Sequence, residues 1–258
     1  QWFGNLVTAA WWDDLWLNEA FATWMAGKAT ERFNPDWDLK ARLRSSKEDA
    51  FRRDAGGATR PMVVPVRTEA DAFAVFDEIT YQKGGSVLSM FEQALGPDLF
   101  RDGLRRYILT HAYSNATADD LWYHLSQATG RDVAREIGGW VARPGFPILD
   151  VATRCFGGRT EVRLAQQRFS SQSLRELAAM WQVPVVLRGG GTTRTLTLGR
   201  EPATVHFGGC VPVIANAGDT GYYRVRYDAG AGARLRRAFA TLPALDRAAI
   251  TADTLALA

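Results

Sequence analysis

The chain has 258 residues, 47% hydrophobic and 23% charged, with a net charge of +3. That composition belongs to a globular protein with enough apolar material for a sizeable core, and it excludes an intrinsically disordered polypeptide. The small positive surplus excludes an electrostatic nucleic-acid binder, because the richest cationic stretch, Lys40 to Arg53, also carries Glu48 and Asp49 and reads as a solvated helix face.

Residues 1–143 carry helix signals. Leu17, Ala20, Phe21, Trp24 and Met25 recur at helical spacing and form one apolar stripe. Asn34-Pro35-Asp36 breaks that helix and offers Asp36 as the cap of the next, over 39–53. A loop with two prolines fills 56–65. A second strong helix spans 79–95 and stops at Gly96-Pro97. Further helices fit 98–112, 118–129 and 133–141, with Asn115 or Thr117 capping the middle one and Asp119 and Asp120 in its first turn.

The pattern changes at Arg143-Pro144-Gly145-Phe146-Pro147. Extended runs follow at 148–152, 161–165, 183–187, 193–198, 211–215 and 222–227, separated by Gly-rich turns, which predicts a small antiparallel β-sandwich over 146–229. Gly189-Gly190-Gly191 lacks a following Lys-Ser/Thr, so it reads as a hairpin turn and not a phosphate loop. Leu235, Phe239 and Leu242 then restore helical period, so 230–258 is expected to begin a further helical domain. No run approaches the roughly 18 apolar residues of a membrane span. Cys155 and Cys210 show neither zinc-ligand spacing nor a dense disulfide framework. They read as two buried free thiols, which points to a reducing, cytoplasmic compartment.

Glu19 follows Asn18 in the first predicted turn of its helix. It shares a helical face with Ala22, Thr23, Ala26 and Thr30, and the opposite face is the Leu17–Trp24–Met25 stripe. A helix uncharged on both faces is expected to be buried. A buried carboxylate is paired, hydrogen-bonded or metal-bound; the alternative is an acid favoured at a helix N-terminus by the macrodipole. Tyr81 lies near the start of the 79–95 helix, ahead of Gly84 and Gly85. Each helical Gly costs up to about 1 kcal/mol against Ala, so close backbone approach is expected there. The phenol is either a core ring with its hydroxyl at the surface or a donor to a developing oxyanion. Lys83 reads as structural or as a surface charge. His111, His124 and His206 are scattered, without a partner at ligand spacing. Trp2, Trp11, Trp12, Trp16 and Trp24 read as core packing around this region.

Together these segments carry a family resemblance. Gln1-Trp2-Phe3-Gly4-Asn5-Leu6-Val7-Thr8, then Trp12-Asp13-Asp14-Leu15-Trp16-Leu17-Asn18-Glu19-Ala20-Phe21-Ala22, resembles the active-site segment of the aminopeptidase N-type zinc peptidases, gluzincins that include puromycin-sensitive aminopeptidase. Their signature is H-E-x-x-H, eighteen residues, then Glu; the closing His would fall just before Gln1, and Glu19 then stands at the required count. Ile79-Thr80-Tyr81-Gln82-Lys83-Gly84 is similar to the family's Tyr-x-Lys-Gly segment. Trp140 with Pro144-Gly145-Phe146-Pro147 is similar to the end of its catalytic domain, and Gly221-Tyr222-Tyr223-Arg224-Val225-Arg226-Tyr227-Asp228 to the end of its sandwich domain.

The resemblance implies an α+β multidomain fold: the helical C-terminal part of a thermolysin-like catalytic domain over 1–145, an antiparallel β-sandwich over 146–229 and the start of an α-helical domain over 230–258. It implies one zinc ion, with Glu19 as its third protein ligand and as a partner for the substrate's free amine, and with Tyr81 steadying the oxyanion. Thr23 either hydrogen-bonds the Glu19 carboxylate or packs the helix. The activity implied is removal of N-terminal residues from peptides with a free N-terminus by a zinc-activated water. The rival is a catalytically inactive relative serving as a peptide-binding or scaffold module; an epoxide-hydrolysing relative would share the same residues. Two positions depart from the pattern: Thr59-Arg60-Pro61 stands where many members have His-Pro, and Ala20 where Gly is common. One carboxylate cannot hold zinc, so these 258 residues alone are expected neither to bind the ion tightly nor to hydrolyse peptides.

Overall fold

The computed structural model describes residues 2–171 and 180–258. Gln1, the first residue of the motif, lies outside the described residues. The chain divides into two compact units, Gln1–Gly145 and Phe146–Ala258.

The first unit is mainly helical. A short strand, β1 (Val7–Ala9), leads into α1 (Leu15–Phe33). The predicted stripe of α1 is its buried side: Leu17, Ala20, Phe21 and Trp24 all lie in the core. Phe21 stacks on Phe3 at 4.1 Å between ring centroids, and Trp24 meets Phe100 edge-on at 5.6 Å. Trp16 is also buried, but Trp2, Trp11 and Trp12 are more than half exposed, so the aromatic cluster is only partly core. The other face of α1 is not buried as expected. Ala22 and Ala26 are exposed and Glu19, Thr23 and Thr30 half-buried. Alanine and threonine side chains bring little apolar area to drive that face inward. Because α1 starts at Leu15, Glu19 also stands beyond the first turn, where the macrodipole acts weakly.

Asp36 does not cap α2 (Leu39–Ala55). Pro35 starts a short 3₁₀ turn of its own, Pro35–Trp37, and Asp38 takes the cap position at φ 45° without a side-chain cap bond. α3 (Glu69–Ala74), absent from the predicted elements, has no buried stripe. Its local signal is the reciprocal capping pair Thr68 and Asp71. The helix over 79–95 forms in two parts, a π-helical turn Ile79–Lys83 followed by α4 (Gly84–Leu95). Gly96, at φ 93°, separates it from α5 (Pro97–His111), which opens on Pro97. Asn115 belongs to strand β2 (Ser114–Ala116), which pairs parallel with β1. Thr117 caps α6 (Ala118–Thr129) in a reciprocal box with Asp120, and Asp132 caps α7 (Val133–Val141). A Cβ added at Gly84 would come within 2.6 Å of the Ala20 Cβ, so here α4 lies directly on α1.

The second unit holds two sheets among its described residues, one of four strands and one of three. The hairpin of β3 (Pro147–Phe156) and β4 (Arg159–Arg168) turns through Gly157 and Gly158, both left-handed. β5 (Val183–Gly189) and β6 (Thr192–Leu198) turn likewise through Gly190 and Gly191. β7 (Ala203–Gly208), absent from the predicted runs, pairs with β4; β8 (Val213–Ala215) pairs with β5. The antiparallel expectation needs one correction. β9 (Arg224–Tyr227) runs parallel to β3, with Ile148 opposite Arg224, because the chain crosses from the smaller sheet before joining the larger one.

Cys155 and Cys210 are neither free nor buried: they are exposed and joined in a disulfide, with Cα atoms 5.3 Å apart. The β4–β7 pairing causes this. It sets Gly209 against Gly158, whose carbonyl accepts from the Gly209 amide at 2.9 Å. The argument for a reducing compartment falls with the free thiols. α8 (Ala229–Ala238), capped by Asp228, and α9 (Ala244–Ala256) complete this unit. Asp246 of α9 accepts from Arg188 and from the Gly218 amide, and Asp253 from Arg224 at 3.1 Å and the Val225 amide at 3.0 Å. Among the described residues no helix is long and apolar enough to cross a membrane.

Candidate active site

The close crossing of Ala20 and Gly84 decides which side chains meet. Glu19 immediately precedes Ala20, and Tyr81 lies on the turn that leads into Gly84. Both are half-buried, and the Tyr81 phenol lies near enough to the Glu19 carboxylate for the two to interact electrostatically. Burial pushes the Tyr81 phenol above its ordinary value, and the nearby Glu19 carboxylate pushes it the same way. The hydroxyl therefore stays protonated at neutral pH and keeps a proton to donate. The ring of Tyr81 lies 6.5 Å from that of Phe76.

The turn itself is anchored on both sides of Tyr81. Ahead of it, the Asp77 carboxylate accepts from the Ile79 and Thr80 amides at 3.0 and 3.2 Å. Behind it, Lys83 is fully buried and paired with Asp54 at 2.9 Å, also fully buried. The Lys83 ammonium donates to the Gly145 carbonyl at 3.0 Å, while Asp54 accepts from the Gly145 amide at 2.9 Å and the Thr59 hydroxyl at 2.5 Å. Lys83 is thus structural, and its reading as a surface charge fails. Thr23 donates to the Glu19 backbone carbonyl at 2.8 Å rather than to the carboxylate, and its methyl faces Gly85, so it packs the helix.

Two histidines that looked isolated come together. α5 and α6 set His111 and His124 with ring centroids 5.5 Å apart, beside Tyr107. His206 stands 3.4 Å from Glu161 in the second unit. Among the described residues no group of three or more His, Cys, Asp or Glu side chains gathers that could hold a metal ion. Burial and then the His111 charge push His124 below its ordinary value of 6.5, against a smaller opposing pull from Asp120. The unfolded chain therefore takes up this proton first as pH falls through 6.5, and the contribution present above that pH is lost below it. Comparing urea midpoints at about pH 7.5 and 5.5 should show an acid loss that shrinks in His124→Gln; an identical loss in the variant would refute this.

Comparison with known proteins fits this geometry. The sequence profile of the peptidase family M1 domain matches residues 1–140. The tricorn protease-interacting factor F2 of Thermoplasma acidophilum is 34% identical to this chain, over 98% of the chain and 31% of that protein. The aminopeptidase M1 of Arabidopsis thaliana is 35% identical, over 100% and 31%. The leucyl aminopeptidase of Saccharolobus solfataricus is 37% identical, over 88% and 28%. The chain therefore spans about a third of the length of the curated relatives it matches.

Proposed function

The chain belongs to peptidase family M1, and from that premise we propose that the protein is a zinc-dependent aminopeptidase acting on peptides with a free N-terminus. The observation that carries this reading is the placement of the half-buried Tyr81 phenol beside the half-buried Glu19 carboxylate, where α4 crosses closely over α1. A catalytically inactive scaffold has no chemical reason to keep a carboxylate and a high-pKa phenol in register across two helices.

Glu19 offers one oxygen donor of a kind that zinc accepts. Among the described residues no group of three metal-ligating side chains gathers, so Glu19 is proposed as a single donor that other ligands would have to complete. When bound, the ion acidifies a water and polarises the scissile carbonyl. Tyr81 contributes a hydroxyl that donates to the oxygen on which negative charge develops. Glu19, beside it, also accepts from the substrate's amine. The break between the compact units at Gly145–Phe146 supports assigning 1–145 to a thermolysin-like catalytic domain. We further assign the two sheets to a β-sandwich and 230–258 to the start of a helical domain.

The test uses the full-length protein, with metal analysis and fluorogenic aminoacyl substrates. Glu19→Gln keeps the shape of the side chain and removes its charge. Loss of a residue that merely supports a ligand costs about 10–100-fold in metal affinity, so this variant should lose at least that much together with turnover. Undiminished zinc binding would remove Glu19 from the ligand set. A zinc-loaded wild type that releases no amino acid from any substrate of a broad panel would sink the aminopeptidase reading.

A further inference from the structure

We infer that Arg60 is a positioning residue for Tyr81, gripping the segment from Val75 to Thr80 so that the phenol leaves the π-helical turn towards Glu19. This rests on the role proposed for Tyr81 above. A π-helical turn is rare and inherently weak, and such turns persist where tertiary contacts over-determine them. Here Thr80 and Lys83 are fully buried anchors, with Tyr81 and Gln82 between them half-exposed. The Lys83–Asp54 pair secures the far anchor. Arg60 secures the near one. Its Nη2 donates to Asp77 Oδ1 at 2.6 Å, to the Thr80 hydroxyl at 2.8 Å and to the Val75 carbonyl at 3.0 Å. Its Nε reaches Asp77 Oδ2 at 3.2 Å, and Nη1 donates to the Pro61 carbonyl at 2.8 Å.

The same Asp77 carboxylate that receives this fork caps the turn through the Ile79 and Thr80 amides. Arg60, with Arg53 at 3.2 Å from Asp77 Oδ2, therefore holds the cap, and the cap fixes the turn one residue before Tyr81. Only a planar guanidinium presents so many donors at fixed angles; an ammonium on a flexible stem carries the charge without the fork. Lys at this position should leave the protein folded and the phenol misdirected. A displacement on the order of 1 Å in a reacting group can cost about a hundredfold in rate.

The experiment compares Arg60→Lys, Thr80→Val and Tyr81→Phe with the wild type in the full-length, zinc-loaded protein. Arg60→Lys is expected to lower kcat by about ten- to a hundredfold with little change in KM and unchanged zinc content. Thr80→Val, which removes one acceptor of the fork and keeps the shape, should lower kcat in the same direction by less. Amide hydrogen exchange at Thr80 to Lys83 should quicken in Arg60→Lys while the rest of the first unit keeps its protection. Wild-type kcat in Arg60→Lys and Thr80→Val, with Tyr81→Phe impaired, overturns the inference alone. Full activity in Tyr81→Phe overturns the role of Tyr81 and the inference with it. If Arg60→Lys does not fold, Thr80→Val decides by the same criterion.

Discussion

Tyr81→Phe in the full-length protein should lower kcat by about 10²–10³, the usual cost of removing one oxyanion donor. The substitution keeps the ring, its packing near Phe76 and the turn beneath it, and deletes only the hydroxyl. The donor acts on charge that develops during reaction, so the loss should appear in kcat and kcat/KM alike, with KM little changed. A drop confined to KM would recast Tyr81 as a substrate contact. A variant within about threefold of the wild type would remove Tyr81 from the chemistry, well short of the 10²–10³ expected.

The largest effect on stability is expected at Lys83→Met. Met preserves much of the volume but removes the ammonium that pairs with the Asp54 carboxylate at a site with no solvent exposure. Breaking a buried pair by removing one partner costs about 3–5 kcal/mol. The Gly145 amide and Thr59 hydroxyl still donate to Asp54 and place the loss towards the lower end of that range. At about 2–4 °C per kcal/mol for a chain of this size, the melting temperature should fall by roughly 6–12 °C or more. Adding Asp54→Asn to Lys83→Met should recover part of the loss, since an amide oxygen accepts the same two bonds without a buried charge. A single-variant loss under about 1 kcal/mol, or no recovery in the double variant, would contradict this account.

What was legible in the sequence was local. The stripe Leu17–Ala20–Phe21–Trp24 marks the buried side of α1 because helical hydrogen bonds tie residues a turn apart. The Thr117–Asp120 box marks the start of α6, since both partners lie within one turn of each other. Glu19 and Tyr81 stood out singly, through the motifs that surround them. The glycines at 84 and 85 announced a close helix approach, but not its partner. The pattern of uncharged residues around Glu19 misled, because small side chains can face solvent without penalty.

By itself, the sequence determined the helical character of the first unit, the change to strands after Gly145, the family and the two residues that point to its chemistry. The tertiary structure alone decided that Tyr81 lies near Glu19, that Arg60 and Lys83 brace the turn carrying Tyr81, that His111 faces His124 and that Cys155 bonds Cys210. The physical reason is range. Short-range hydrogen bonding and side-chain periodicity are written in consecutive residues. Contacts between distant residues depend on strand register and on where one helix can approach another, as Gly84 does Ala20.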